Sequence, residues 1–269
     1  MPALYIVGTP LGNLEDMTFR AVRILKEVSL IASEDTRTTR RLLARFDIHT
    51  PLTSYFEHNK AAKLEYLLDK LETVNVALVS EAGMPAVSDP GYELVRSAIE
   101  RGIQVIPVPG PSAAVAALAV SGLPTDRFCY LGFLPRKAGE RRRMLSDVKV
   151  ETATLIAYEA PHRLIEALHD ILCVLGNRRM AIGRELTKLY EEVFRGTVED
   201  AIKHFTGPRG EFTLVIAGAQ SESSGLSHEE IANRIHELKQ AGKTVKEAVA
   251  ELVTNSGRSR KEIYKLWLE

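Results

Sequence analysis

Residues 74–91 read Val-Asn-Val-Ala-Leu-Val-Ser-Glu-Ala-Gly-Met-Pro-Ala-Val-Ser-Asp-Pro-Gly, an apolar run that stops abruptly in small residues, prolines and acids. A run with no polar alternation fits a strand covered on both faces, as in a parallel sheet. Regular structure cannot continue past it, because Pro85 and Pro90 lack amide donors and Gly83 and Gly91 loosen the backbone. Open α/β sheets bind ligands in the loops at the carboxyl ends of such strands. One loop of this kind is more often a plain connection, but here the pattern recurs. Residues 4–7, Leu-Tyr-Ile-Val, run into Gly-Thr-Pro-Leu-Gly-Asn, and residues 104–106 run into Pro-Val-Pro-Gly-Pro-Ser. Three such connections on one sheet predict a Gly/Pro-lined wall along a single edge.

The rest of the chain supports a βα alternation followed by something different. Residues 30–32 form a short strand ending in Ser-Glu-Asp-Thr-Arg, where Glu34 and Asp35 suit either the first turn of a helix or a site. Helical spacing of Leu64, Leu67, Leu68 and Leu71 predicts a helix over residues 60–72, and residues 92–101 predict another. Residues 113–120 are almost purely alanine and valine, with Pro111 ahead of the helix and free amides near Ser112 and Ala113 able to face a ligand. Beyond a linker-like segment at 121–127, strands are expected at 130–134, 153–158, 180–182, 190–194 and 212–217, with helices at 161–175 and 198–205. More strands on shorter connections suggest a mixed sheet. A Ser/Gly/Glu linker at 220–225 precedes three short helices, at 228–240, 244–253 and 259–268. These suit a helix-turn-helix-like module with a basic end (Arg258, Arg260, Lys261, Lys265), or a helical tail packed on the body. The expected division is an α/β domain over 1–121, a second over 122–220, and a helical extension over 226–269.

Composition narrows the function classes. With 35 basic and 35 acidic residues the formal net charge is zero, so any nucleic-acid affinity must come from local patches. One candidate patch is the loop at 136–143, which carries five positive charges against one negative. Cys129 and Cys173 stand alone, without a Cys-x-x-Cys pair, which suits a reducing cytoplasm rather than a disulfide or zinc framework. No signal segment or membrane span is expected. The seven histidines lack metal-ligand spacing, so no metal site is expected. The loop after residues 4–7 is neither a Walker loop nor a dinucleotide fingerprint, and no Gly-x-Ser-x-Gly elbow occurs. Polar groups also concentrate in Tyr-Glu-Ala-Pro-His-Arg (158–163) and Arg-Glu-Leu-Thr-Lys (184–188), each after a predicted strand.

Taken in order, the loops at 4–18, 34–37, 79–91 and 109–113, with Gly-Phe-Leu-Pro and the two segments just named, resemble the tetrapyrrole methylase family. The resemblance is to the branch that 2′-O-methylates cytidine in small-subunit (16S) ribosomal RNA. It covers residues 4–218, and the helical tail is similar to that branch's C-terminal extension. Two departures are Glu81, where the branch usually has Asp, and Met84, where Thr is common. The resemblance implies two α/β domains of the tetrapyrrole methylase type with a cofactor cleft between them, plus a small C-terminal three-helix module. It implies S-adenosyl-L-methionine as cofactor, a cytoplasmic homodimer, and small-subunit ribosomal RNA or the assembled 30S subunit as partner. The cofactor would be lined by Pro10, Gly83, Met84, Pro85, Ser112, Ala113, Glu159, Phe212 and Thr213. Glu81, Glu159, His162 and Lys188 are the candidates for removing the ribose hydroxyl proton. Asp35, Arg37, Arg163 and Arg184 would orient loops or phosphates, and Arg141, Arg142 and Arg143 with the tail would grip RNA phosphates. Two other readings share parts of this pattern: a methyltransferase of a small precorrin-like tetrapyrrole, and a non-catalytic RNA-binding ribosome assembly factor. The basic loop and helical appendix argue against the first, because a small substrate needs neither.

Overall fold

A computed structural model describes residues 2–56, 60–220, 228–256 and 259–268. Strands β1 (Ala3–Val7), β2 (Leu30–Ser33), β3 (Leu52–Ser54), β4 (Val76–Val79) and β5 (Gln104–Val108) make an all-parallel sheet in the order β3-β2-β4-β1-β5. β2 and β4 are buried at every position, as their unbroken apolar runs require. Helices α1 (Phe19–Glu27) and α2 (Thr36–Arg45) lay Ala21, Ile24, Leu25 and Leu43 against one face. Helices α3 (Lys60–Leu71) and α4 (Tyr92–Glu100) lay Leu67, Leu68 and Leu94 against the other. Local chemistry starts these helices: Thr18 caps α1 by accepting the Ala21 amide at 3.1 Å, and Asp35 caps α2 by accepting the Arg37 amide at 2.7 Å. The chain leaves β1 in one direction across the sheet and β4 in the other, so these neighbours open a crevice at their carboxyl ends. Beyond β1 and β5 the backbones nearly touch. A Cβ on Gly8 would lie 2.8 Å from the Gly110 Cα, so both positions require glycine.

The second sheet is mixed, as its short connections predict. β6 (Phe128–Phe133), β7 (Thr154–Glu159), β8 (Arg179–Arg184), β9 (Glu192–Thr197) and β10 (Phe212–Ile216) run in the order β6-β7-β10-β8-β9. Only β6 and β7 are parallel. Helices α6 (Ala138–Asp147), α7 (Leu164–Leu175) and α8 (Val198–His204) cover one face through Leu145, Leu164, Leu168 and Ala201. The other face receives α5 (Ala113–Ser121), whose Ala114, Ala117 and Leu118 pack on Ile156, Ala181 and Val215. Splitting the chain after residue 121 would group α5 with the first sheet, whereas its buried face belongs to the second. Residues 1–218 pack as one compact unit around both sheets. The expected strand at 190–194 starts later, at Glu192, because residues 185–191 fold into tight turns with Glu185 and Thr187 in the left-handed region.

A second compact unit, residues 219–269, contains α9 (His228–Gln240), α10 (Val245–Ser256) and α11 (Arg260–Leu268). Its core gathers Ile231, Ile235, Leu238, Val249, Leu252 and Ile263. Thr244 with Glu247, and Ser259 with Glu262, exchange side-chain and amide hydrogen bonds as capping boxes that start α10 and α11. Arg260, Lys261 and Lys265 are exposed, while Arg258 and the expected linker after Gln220 lie outside the described residues. No helix among the described residues is long and apolar enough to cross a membrane.

The basic loop expected at 136–143 is mostly helix α6, and its charges are not all at the surface. Arg141 is 1% exposed. Its Nε donates to Asp170 Oδ2 at 2.7 Å, its Nη2 sits 2.6 Å from the same oxygen, and Nη1 reaches the Pro135 carbonyl. Arg142 takes the other oxygen of Asp170 at 2.6 Å. Of the three arginines assigned to RNA, Arg141 is therefore an internal strut, Arg142 is ion-paired, and Arg143 alone is an exposed cation with no ion pair among the described residues. Burial alone would raise the Asp170 pKa, but the bonds from Arg142 and Arg141 outweigh it and hold the carboxyl below its usual value. Its contribution to stability is present above about pH 4 and is lost as pH falls through the depressed value. Asp170→Ala strands a buried guanidinium and is expected to cost about 3–5 kcal/mol, read as a lowered urea midpoint at neutral pH. An unchanged midpoint would show that the pair is not structural.

Candidate functional site

The crevice between β1 and β4 widens into a cavity of about 760 Å³, closed on its far side by β7 and β10 of the second sheet. Two backbone bonds fix the near wall: the Thr9 amide donates to the Gly83 carbonyl at 2.9 Å and the Gly83 amide to the Thr9 carbonyl at 3.0 Å. Gly83 holds φ at 80°, a conformation open to glycine. This bridge sets Pro10 and Leu11 on one side of the opening and Ala82 and Met84 on the other. The loop then strains, with Ala86 and Ser88 at φ 67° and 64°, each costing about 1–2 kcal/mol. Ser88 Oγ meets Tyr130 Oη of β6 at 2.7 Å, which ties the strained loop to the second sheet. A second tie runs from the Ala114 amide, at the start of α5, to Tyr158 Oη at 3.1 Å.

Carboxylates dominate the lining. Glu34 follows β2, Glu81 and Asp89 follow β4, and Glu159 ends β7. Burial, followed by the charges of Asp89 and Glu81, pushes the Glu34 pKa up despite a bond from the Glu81 amide. Asp89 is also raised, first by burial and then by Glu81, with the Ser80 hydroxyl pulling the other way. Glu159 is 2% exposed. Its Oε1 accepts the Ala160 amide at 2.7 Å and pairs with Arg163 at 2.6 Å, whereas Oε2 is buried without a partner among the described residues. Burial raises its pKa against the pull of the Ala160 amide and Arg163. Among the described residues, no group of three or more His, Cys, Asp or Glu is arranged to hold a metal ion.

The cavity wall includes Pro10, Gly83, Met84, Ser112, Ala113, Phe212 and Thr213 from the expected cofactor set, but Pro85 is buried behind it. Of the four proton-acceptor candidates, Glu81, Glu159 and Lys188 reach the cavity. His162 is exposed on a one-turn helix and is not part of the wall. Lys188 cannot accept a proton near neutral pH. Burial works to lower its pKa, but Glu185 and Glu211, at 2.9 and 3.0 Å, outweigh it and keep the amine charged. The residues expected to orient loops or phosphates lie off the wall. Asp35 caps α2 and Arg37 is exposed beside it. Arg163 is spent on Glu159 and the Leu134 carbonyl, and Arg184 on the Arg209 carbonyl and Glu192. The sequence reading did not single out Asp89, Arg41 or Tyr158 as wall residues. Asp89 did carry a signal, as an acid held between a serine and the Pro-Gly that ends the strand-following loop.

The acids of the cavity are coupled, which gives a direct test. Replacing Glu81 by Gln removes a neighbouring negative charge, so the pKa values of Glu34 and Asp89 are expected to fall toward ordinary carboxylate values. Carboxyl carbon NMR titration of both side chains measures this. Titration curves that do not move would contradict a shared electrostatic cluster.

A family model described as Tetrapyrrole (Corrin/Porphyrin) Methylases matches residues 3–202. A protein of Halalkalibacterium halodurans named Ribosomal RNA small subunit methyltransferase I is 50% identical over 98% of this chain and 94% of its own length. A Synechocystis protein of the same name is 47% identical over 100% of this chain and 98% of its own. The crystal structure of uroporphyrin-III C-methyltransferase from Thermus thermophilus, complexed with S-adenyl homocysteine, aligns with a TM-score of 0.57 over 80% of this chain and 97% of that one. At 20% identity this is a likeness of fold. With its two-sheet unit, its cavity at the strand ends and these full-length relatives, the chain belongs to the tetrapyrrole methylase family, among the proteins named ribosomal RNA small subunit methyltransferase I.

Proposed function

We propose that the chain transfers a methyl group from S-adenosyl-L-methionine to the ribose 2′-hydroxyl of a cytidine in small-subunit (16S) ribosomal RNA, acting in the cytoplasm as a homodimer. The observation that carries this reading is the carboxylate-rich cavity at the strand ends, taken with the full-length relatives. A ligand bearing a sulfonium and an ammonium is cationic at its reacting end. Glu34, Glu81, Asp89 and Glu159 outnumber Arg41 and Lys188 around the cavity, and Lys188 is already neutralised by two glutamates. The unpartnered Glu159 Oε2 is a buried acceptor available to a ligand donor. Pro10, Gly83, Met84, Ser112, Ala113, Phe212 and Thr213 would hold the apolar and backbone-facing parts of the cofactor. When bound, the cofactor supplies a methyl group already activated by the positive sulfur.

The protein then has two tasks, to position the ribose hydroxyl and to take its proton. Glu81 is the exposed member of the acidic cluster, so it is the group best placed to meet an incoming substrate. Glu34 and Asp89, with raised pKa values, can share the proton in the cluster. Dimerisation is supported by α5, which is apolar all round yet covered on one side only. Val115 is 55% exposed and Val120 44%. A second copy packed on that face would cover it.

Purified protein given labelled S-adenosylmethionine is expected to label small subunits or their RNA and to leave a precorrin-type tetrapyrrole unlabelled. Label on the tetrapyrrole instead, or on neither, would overturn the substrate assignment. Glu81→Gln is expected to lower kcat about 10²-fold or more, well beyond the loss of cofactor affinity by calorimetry that removing one of the cavity's negative charges brings. An unchanged kcat removes Glu81 as the acceptor. Val115→Asp is expected to shift the sedimenting species toward monomer, and a wild-type protein already monomeric at micromolar concentration would refute the α5 interface.

A further inference from the structure

The face of the first sheet that carries α1 and α2 has a charge pattern that the cavity chemistry does not use. Helix α2 holds four arginines and no acid in ten residues. Arg37, Arg41 and Arg45 stand four residues apart, about 6 Å per step along the axis, and Arg40 lies on the same side. All four are exposed, while Thr39 and Leu43 on the opposite side are buried. Like charges at these spacings repel one another, and a cation in the first turn opposes the helix dipole. Asp35 lies 3.7 Å from Arg37, but Arg40, Arg41 and Arg45 make no ion pair among the described residues. A helix that accumulates this repulsion without neutralising it is suited to a polyanion. Arg41 also forms part of the cavity wall, so the row of cations reaches the cavity at its middle member.

The adjoining helix adds a second, independent feature. Phe19, the first residue of α1, is 97% exposed. It lies over an apolar groove formed with Met17, Val22 and Phe46, where Phe46 follows α2 and Arg23, Lys26 and Glu27 form the rim. Arg23 is paired with Glu27 at 2.8 Å, which leaves Lys26 as the rim cation with no ion pair among the described residues. An exposed aromatic ring beside Lys26, joined through Phe46 to the row of arginines that ends at Arg45, has the composition of a single-stranded nucleic-acid track: phosphates on the cations and a base on the ring. By contrast, α6 offers little of this, because Arg141 is buried and Arg142 is held by Asp170.

We infer that the outer surface of α1 and α2 is the RNA track that feeds the cavity, with Arg40 and Arg45 taking backbone phosphates and Phe19 stacking on an unpaired base. This rests on RNA being the substrate, and the test separates the two claims. Binding of small-subunit RNA is measured over a salt series for the wild-type protein, Arg40→Ala/Arg45→Ala, Arg40→Lys/Arg45→Lys and Phe19→Ala, with S-adenosylmethionine calorimetry on each. Losing two phosphate contacts to a single strand should flatten the log–log salt slope by about 1.4, and the double-lysine variant should keep the slope. Phe19→Ala should weaken binding roughly ten- to a hundredfold while leaving the slope unchanged. Cofactor binding should be the same in all four, since none of these side chains lines the cavity. If the wild-type protein binds the RNA and neither the slope nor the affinity changes in the variants, the track is wrong while the RNA reading stands. If the wild-type protein neither binds nor methylates the RNA, the substrate reading fails instead.

Discussion

The two amide bonds between Thr9 and Gly83 decide where everything else in the cavity goes. Each is an ordinary hydrogen bond, worth about 0.5–1.5 kcal/mol net. Thr9 is 1% exposed, however, so leaving its groups unpaired would cost more than the bonds gain. They join loops from two different strands of the parallel sheet, and that junction holds the crevice at a fixed width. The close approach of Gly8 and Gly110 does the same for β1 and β5. With three strand ends locked to one another, the loop from Glu81 to Asp89 can carry strained backbone and clustered acids without moving away from the opening.

Much of this was legible from local pattern. The buried parallel strands follow from apolar runs without alternation, and the wall follows from the recurrence of Gly and Pro after three of them. What could not be read depends on partners distant in the chain. Arg141 looks like one more cation in a basic segment, and only the folded chain sets it on Asp170, 29 positions away. Lys188 looks like a base near a site until Glu211 is brought to its amine from 23 positions downstream. Helix α5 follows the strands of the first sheet, yet its buried face needs Ile156, Ala181 and Val215, none of which precedes it. Glu34 and Asp89 sit in the quoted motifs, but an acid that caps a helix and an acid that faces a cavity have the same local surroundings in sequence. Asp35 and Glu34 are adjacent and do one of these things each.

The formal charge of zero conceals a separation of sign. Acids collect inside, where burial and mutual repulsion raise Glu34 and Asp89, and unneutralised arginines collect on one outer helix. A global sum misses such an arrangement because the two populations cancel. It also places attraction for anions outside and attraction for cations within, a few turns of helix apart.

Across the opening, Ser88 of the loop after β4 is fastened to Tyr130 of the second sheet, and the Ala114 amide, where the chain arrives from β5, is held by Tyr158 of that same sheet. Burial, with Tyr130 beside it, pushes the Tyr158 pKa up, so its phenol keeps its proton throughout the range in which the acids titrate. Neither contact uses an ionised group. Acidity can therefore change the charge inside the cavity without loosening the clasp that holds its walls together, and salt, which screens charges, has little purchase on it either.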